Sequence, residues 1–171
     1  NMDMKKDIFK IKEILNVSPQ ETAIAPNLTV KENLEFMAGV YQISNKEKKI
    51  DELIKQFKLE EILNKRTKTL SGGWQRRLSI AISLINNPKI LFLDEPTLGL
   101  DVIARKELWK VINELKGKIT IILTTHYMEE AVEADRIVVM DDSRLLMDGT
   151  PKQVFADAEK IRSIGLDVPQ T

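Results

Sequence analysis

Two carboxylates stand where a run of apolar residues stops. Lys89-Ile90-Leu91-Phe92-Leu93 leads directly into Asp94-Glu95-Pro96. The continuous apolar run from Ile90 to Leu93 has the character of a strand buried on both faces of a parallel sheet. The carboxyl end of such a strand is where open α/β sheets bind ligands. Asp94 is placed to hold a hard cation such as Mg²⁺, directly or through water. Glu95 is placed to polarise a water for attack on a phosphate. Upstream, Ser71-Gly72-Gly73 precedes a helical run. Glycines there let backbone N–H groups approach a phosphate, and the helix N-terminus adds positive partial charge. Taken singly, Asp-Glu-Pro is a strand-end turn and Ser-Gly-Gly a helix N-cap. Together and in this order they point to phosphate chemistry. A second buried-strand pattern, Ile119 to Thr124, is rich in β-branched residues. It ends in Thr125-His126, the one histidine of the chain. A lone histidine is usually structural, but this one follows a buried strand at the same carboxyl edge as Asp94 and Glu95.

These groups need elements to position them. Residues 4–14 suit a short amphipathic helix or a surface segment, with Ile8, Phe9, Ile11 and Ile14 as apolar positions. Ile14 to Val17 is a short strand candidate, ended by Ser18-Pro19, and Gln20 follows. Thr29 with Glu32 forms a capping box for a helix whose apolar positions are Leu34, Met37, Ala38 and Tyr41. Ser44 with Glu47 offers a second box, ahead of an apolar face of Ile50, Leu53, Ile54 and Phe57. The charges around that face read as a solvated surface. Leu59 to Leu63 is a shorter helical piece. The helix from Ser71 places Leu78, Ala81, Ile82 and Ile85 on one face and stops at Asn86-Asn87-Pro88. Its Arg76 and Arg77 are open to three readings: phosphate contacts, partners of acids, or surface charges. Residues 102–116 form a helix with Leu108, Val111, Ile112 and Leu115 inward, Trp109 packed by its edge, and Gly117 as the stop. Met128 to Ala134 reads as a helix and Asp135 to Met140 leads into a strand. Asp141-Asp142-Ser143 turns it back into Arg144 to Met147. Gly149-Thr150-Pro151 opens a last helix, and the tail from Ile161 reads as a surface appendage.

Composition sets the outer bounds. A length of 171 residues suits one domain, and 43% hydrophobic residues suffice for a core. Lys+Arg and Asp+Glu number 26 each, a formal net charge of zero that argues against a strongly basic nucleic-acid binder. The absence of cysteine excludes disulfides and thiolate metal sites. No apolar run reaches the roughly 18 residues of a membrane span. No apolar signal region follows Asn1-Met2-Asp3-Met4-Lys5-Lys6. The expectation is a soluble cytoplasmic protein, or one docked on a membrane partner.

The motifs resemble those of ABC transporter ATPases, over nearly the whole chain. Leu70-Ser71-Gly72-Gly73-Trp74 is similar to the ABC signature, with Trp74 where glutamine is commonest. Leu91-Phe92-Leu93-Asp94-Glu95 looks like the Walker B strand with its catalytic glutamate, and Leu98-Gly99-Leu100-Asp101 like the D-loop. The resemblance implies an α/β fold, a P-loop NTPase-like parallel sheet plus an all-helical subdomain. It implies ATP and Mg²⁺ as ligands and ATP hydrolysis coupled to transport. By that resemblance Glu95 is the catalytic base and His126 the switch histidine at the γ-phosphate, a role its near-neutral intrinsic pKa suits. Gln20, as the Q-loop glutamine, joins Asp94 at the metal. Ser71, Gly72, Gly73 and Gln75 belong to the nucleotide-binding signature, and Asp101 communicates across a head-to-tail dimer. The implied partners are a second ATP-binding domain and a transmembrane permease subunit at the inner face of the cell membrane. No nucleic acid is expected.

One family element has no counterpart. The P-loop, G-x-x-x-x-G-K-[ST], belongs upstream of Gln20, yet only 19 residues precede Gln20 and none is glycine. No such motif occurs elsewhere in the chain. The P-loop strand of the family lies between the His126 strand and the Ile137 strand, so its absence predicts two exposed edges. The resulting layout is a residual N-terminal segment and strand (1–19), a Q-loop and helical subdomain with the signature (20–86), an ATPase core (87–155) and an appendage (156–171). This reads as the C-terminal portion of an ABC ATPase, or a chain completed by another. Alone it is expected to be inactive, and the rival reading is a non-enzymatic, ABC-like partner-binding module. Ser18 to Thr22 and Ser71 to Arg77 are similar to drug and antibiotic exporters. Ile164 to Gln170 is more similar to the energy-coupling factor ATPases of vitamin or cobalt uptake.

Overall fold

The computed structural model describes residues 3 and 5–166. The chain forms two compact units, one up to Thr124 and one from Thr125 on. In the first, three strands form a parallel sheet: β1 (Leu15–Ser18), β2 (Ile90–Asp94) and β3 (Thr120–Thr124), in that order. The register sets Ser18 beside Leu93 and Asp94 beside Thr124. All three strands therefore run out at one edge, and Pro19-Gln20 continue next to Asp94-Glu95.

Helices supply the rest of this unit: α1 (Ile8–Ile14), α2 (Val30–Val40), α3 (Lys46–Phe57), α4 (Gly72–Ser83) and α5 (Val102–Leu115). Thr29 caps α2 with the expected reciprocal box to Glu32. The second box does not form. Asn45 takes the N-cap of α3 without a side-chain bond, which places Ser44 outside the helix. Leu59 to Leu63 tightens into one 3-10 turn, Glu60–Ile62.

Helix α4 is the axis of the unit. It packs on α2 and α3, on α5 and on β1. Every residue from Arg76 to Ser83 is buried, rather than the single face expected from its spacing. A helix enclosed on several sides must satisfy its polar groups internally. Ser83 Oγ donates to the Ile80 carbonyl at 2.7 Å, and the Ser79 and Ser18 hydroxyls lie 3.3 Å apart.

The sheet departs from the two-sided burial expected of it. Leu91 and Leu93 are fully buried on the side where α4 and α5 lie with them in one core. The opposite row runs Val17–Phe92–Ile122 across the three strands. Val17 and Ile122 there are 46% and 43% exposed. β3 is an edge strand with no fully buried residue. This corrects the reading of β3 as a buried strand: β-branched composition records a pleated conformation, whereas burial needs a covering layer.

The second unit holds α6 (Met128–Ala131), β4 (Ile137–Asp141), β5 (Arg144–Gly149), α7 (Pro151–Phe155) and α8 (Ala158–Ser163). β4 and β5 form an antiparallel hairpin. Asp142 and Ser143 both have positive φ, as a two-residue primed turn requires. α6 is shorter than the Met128 to Ala134 helix expected. The tail is not a mere appendage: Ile161 is buried, with Val139 and Val154, in a small core of this unit. Residues 167–170 of the uptake-like ending lie outside the described residues. Among the described residues no helix is long and apolar enough to cross a membrane.

Candidate functional site

Asp94 ends β2 at the surface, and Glu95 follows half-buried. The Thr124 hydroxyl donates to Asp94 Oδ1 at 2.6 Å, which fixes the carboxylate at the sheet edge. The Glu95 backbone N–H donates to the Thr124 carbonyl at 3.2 Å and to its hydroxyl oxygen at 3.1 Å. Glu95 has φ +43°, in the left-handed region that side-chain-bearing residues rarely occupy. Such a conformation costs on the order of 1–3 kcal/mol and persists where surroundings enforce it, most often at working sites. Here the bonds to Thr124 and the buried Pro96 enforce it. Gln20 lies exposed in the bend after β1, beside this edge.

Arg76 settles the question left open about its role. It is buried, and its guanidinium donates to backbone carbonyls on both sides of the edge. Nε reaches Pro96 at 2.9 Å, Nη1 reaches Gln20 at 3.2 Å and also Pro19, and Nη2 reaches Asp94. Burial pulls this guanidinium below the usual arginine range, and the Asp94 carboxylate opposes that pull. Arg77 is buried too. Its guanidinium carbon lies 4.6 Å from the centre of the Trp74 ring, and Nη2 lies 3.8 Å from Glu107 Oε2 on α5. Burial lowers its pKa in the same way, against the pull of Glu107. Neither arginine is a surface charge.

The signature residues occupy the start of α4. Ser71 is the exposed N-cap, but its side chain accepts no capping hydrogen bond. Gly72 is exposed beside it. Gly73 is where α4 meets α5: a Cβ added there would stand 2.9 Å from Ala104 Cβ. Gly73→Ala is expected to destabilise the fold by about 1–2 kcal/mol, since the clash outweighs alanine's better helix propensity. The melting temperature should fall by roughly 2–8 °C, and an unchanged melt would mean that α5 yields freely. Gln75 is spent locally, since its Nε2 donates to the Thr67 and Leu70 carbonyls at 3.0 and 3.3 Å. It braces the turn before the signature. Asp101 is the N-cap of α5 and accepts from the Ile103 and Ala104 N–H groups, both at 2.9 Å. Its carboxylate thus fixes the start of the helix against which Gly73 packs.

His126 belongs to the second unit, two residues past the end of β3 in the chain. Its ring lies 4.3 Å from that of Tyr127. The flanking backbone is held by a relay. The Thr125 hydroxyl donates to the buried Glu130 carboxylate at 2.8 Å and accepts the Tyr127 N–H at 3.0 Å. Sequence reasoning missed Glu130 in this role.

The ABC transporter family model matches residues 1–98, more than half of the chain. The chain belongs to the ABC transporter family. Among its relatives in that family, the energy-coupling factor transporter ATP-binding protein EcfA1 of Clostridium novyi is 48% identical over 124 residues. The match covers 71% of this chain and 44% of that protein. The probable multidrug ABC transporter ATP-binding protein YbhF of Escherichia coli is 38% identical over 160 residues, covering 92% of this chain and 28% of that protein. Both transporter types whose motifs the sequence resembles are thus represented. The solved structure of cbiO1 from Clostridium perfringens, described as part of the ABC transporter complex cbiONQ, superposes with a TM-score of 0.78 at 31% identity. It covers 94% of this chain and 66% of that one. The chain spans about half the length of the EcfA1 relatives it matches, 44% and 52% in two of them.

Proposed function

We propose that the chain supplies the hydrolytic edge and the signature face of an ATP-binding subunit of an ABC transporter, of the energy-coupling factor type. The observation that carries this reading is the edge itself. Asp94 is held by Thr124, Glu95 is fixed in a left-handed conformation, and the Gln20 loop lies alongside in parallel register.

The residues fit a magnesium nucleotide. Among the described residues no group of three or more His, Cys, Asp or Glu is placed to hold a metal ion. A single fixed carboxylate at the sheet edge, with Gln20 in the adjacent loop, suits Mg²⁺, which is bound by one or two carboxylates plus water and substrate phosphates. Asp94 and Gln20 would hold it, and its charge would offset that of the phosphates. Glu95 takes the proton of the attacking water. The family resemblance gives His126 the γ-phosphate contact, and within its own unit the flanking backbone is braced through Thr125 and Glu130. Ser71 to Gly73 present a helix N-terminus to the nucleotide of a second ATP-binding domain, and Asp101 orders the neighbouring helix. A permease subunit at the inner membrane face receives the motion. The names of the relatives, transporter ATP-binding proteins, support this reading.

The missing G-x-x-x-x-G-K-[ST] favours a second reading, a partner-binding module without turnover of its own. Phosphate release with Mg²⁺ separates the two. The chain alone should release none, whereas the chain joined to a P-loop-bearing segment ahead of residue 1 should turn over ATP. A joined chain that binds ATP and never hydrolyses it would overturn the catalytic reading.

A further inference from the structure

Arg76 leaves 4% of its surface exposed, yet among the described residues its guanidinium hydrogen bonds go to backbone carbonyls and not to a carboxylate. Its charge is instead satisfied by four carbonyl oxygens from two segments. Pro19 and Gln20 follow β1, while Asp94 and Pro96 bracket Glu95. These segments are more than fifty residues from Arg76 on one side and about twenty on the other. Buried charge without such partners would be prohibitive, so the carbonyls and the guanidinium stabilise one another. Only a planar fork with donors on three nitrogens reaches two segments at once. A lysine ammonium offers three donors from a single atom.

We infer that Arg76 is a positioning residue: it clamps the Gln20 loop to the Asp94–Pro96 loop, fixing the metal-contact glutamine relative to the base. The functional half of this inference rests on the reading of the site as a hydrolytic edge. The clamp also has a direction. Arg76 sits in the second turn of α4, whose first residues are the signature, and α4 is enclosed along its length. Displacement of α4 at Ser71 therefore moves both loops through one side chain. Glu95 holds its left-handed conformation between Thr124 on one side and the Arg76–Pro96 bond on the other.

Hydrogen exchange on the 171-residue chain tests the clamp without nucleotide. Wild type is compared with Arg76→Lys and Arg76→Met. The amides of Gln20, Glu21 and Thr22 and those of Glu95 and Thr97 should exchange at least about tenfold faster, together, in both variants. Those of α2 should stay as they were. Loosening of only one loop, of neither, or of the whole chain uniformly would overturn the clamp. Arg76→Lys keeps the charge and guards against failure of Arg76→Met to fold. In the chain joined to a P-loop segment, Arg76→Lys should lower kcat roughly tenfold to a hundredfold. It should also raise the Mg²⁺ concentration for half-maximal rate and leave ATP affinity in place. A residue that only packs would lower the melting temperature and leave kcat per folded molecule and the Mg²⁺ dependence unmoved. Glu95→Gln is run in parallel. If it spares turnover, the hydrolytic reading falls while the exchange result still judges the clamp. If it stops turnover and Arg76→Lys changes neither kcat nor Mg²⁺ dependence, the positioning inference alone falls.

Discussion

Replacing Glu95 with glutamine, in the chain joined to a P-loop segment, lowers ATP turnover by a factor on the order of 10² to 10⁴, the usual contribution of a general base. The amide keeps the size and reach of the carboxylate but cannot take a proton from water. The fold should not register the change. The backbone of Glu95 is held by its N–H bond to Thr124 and by the neighbouring Pro96 carbonyl that Arg76 grips, and glutamine keeps the side chain's size and hydrogen-bonding reach. The cost of its positive φ is the same for both side chains. The melting temperature and ATP affinity should therefore stay near their wild-type values. Phosphate release, equilibrium nucleotide binding and thermal unfolding on the same preparations check all three. Turnover near wild type would remove Glu95 as the base. Lost ATP binding would mean that the residue holds nucleotide rather than activating water.

How much of this was legible depended on the range of the interaction. The Thr29–Glu32 box is a contact over three residues and was readable as written. Ser44–Glu47 has the same spacing but fails, because α3 starts one residue later and Asn45 takes the N-cap. The strand before Asp94 was legible from its unbroken apolar run. Which of its faces is covered was not, since Leu91 and Leu93 meet helices while Val17 and Ile122 beside Phe92 do not. Arg76 was the least legible residue of the site. Its position one turn into a helix left phosphate, an acid or solvent equally open, and its burial follows only from carbonyls brought by distant segments. Gly73 shows the converse. Its place in the signature suggested close approach to a phosphate, and the fold adds a contact with Ala104 that the motif does not encode. Ile161 looked like a tail residue because its partners Val139 and Val154 meet it only through the hairpin and α7.

Ser71→Arg should abolish ATP-driven dimerisation and leave the fold intact. Serine at a helix N-cap ordinarily contributes roughly 1 kcal/mol by accepting a backbone N–H, and its loss is then felt as instability. Ser71 stands at that position with its side chain accepting no such bond, and it is exposed. Its hydroxyl is therefore available to a ligand approaching the start of α4. The arginine adds a positive charge at the positive end of the helix, a penalty of about 0.3–1 kcal/mol. Gly73 against Ala104 and the buried stretch from Arg76 onward still anchor the helix. The effect on assembly is far larger. A signature that closes over the γ-phosphate of a second ATP-binding domain cannot do so past a long side chain at its point of contact. The joined chain carrying Glu95→Gln retains ATP and makes the comparison clean. With Ser71 it should elute as a dimer when ATP and Mg²⁺ are present, and as a monomer without them. With Ser71→Arg it should elute as a monomer in both, at a melting temperature within a few degrees of its parent. A dimer that forms normally despite the arginine would show that this face does not close over nucleotide. A collapse in melting temperature would show that Ser71 matters to the fold through contacts other than a cap.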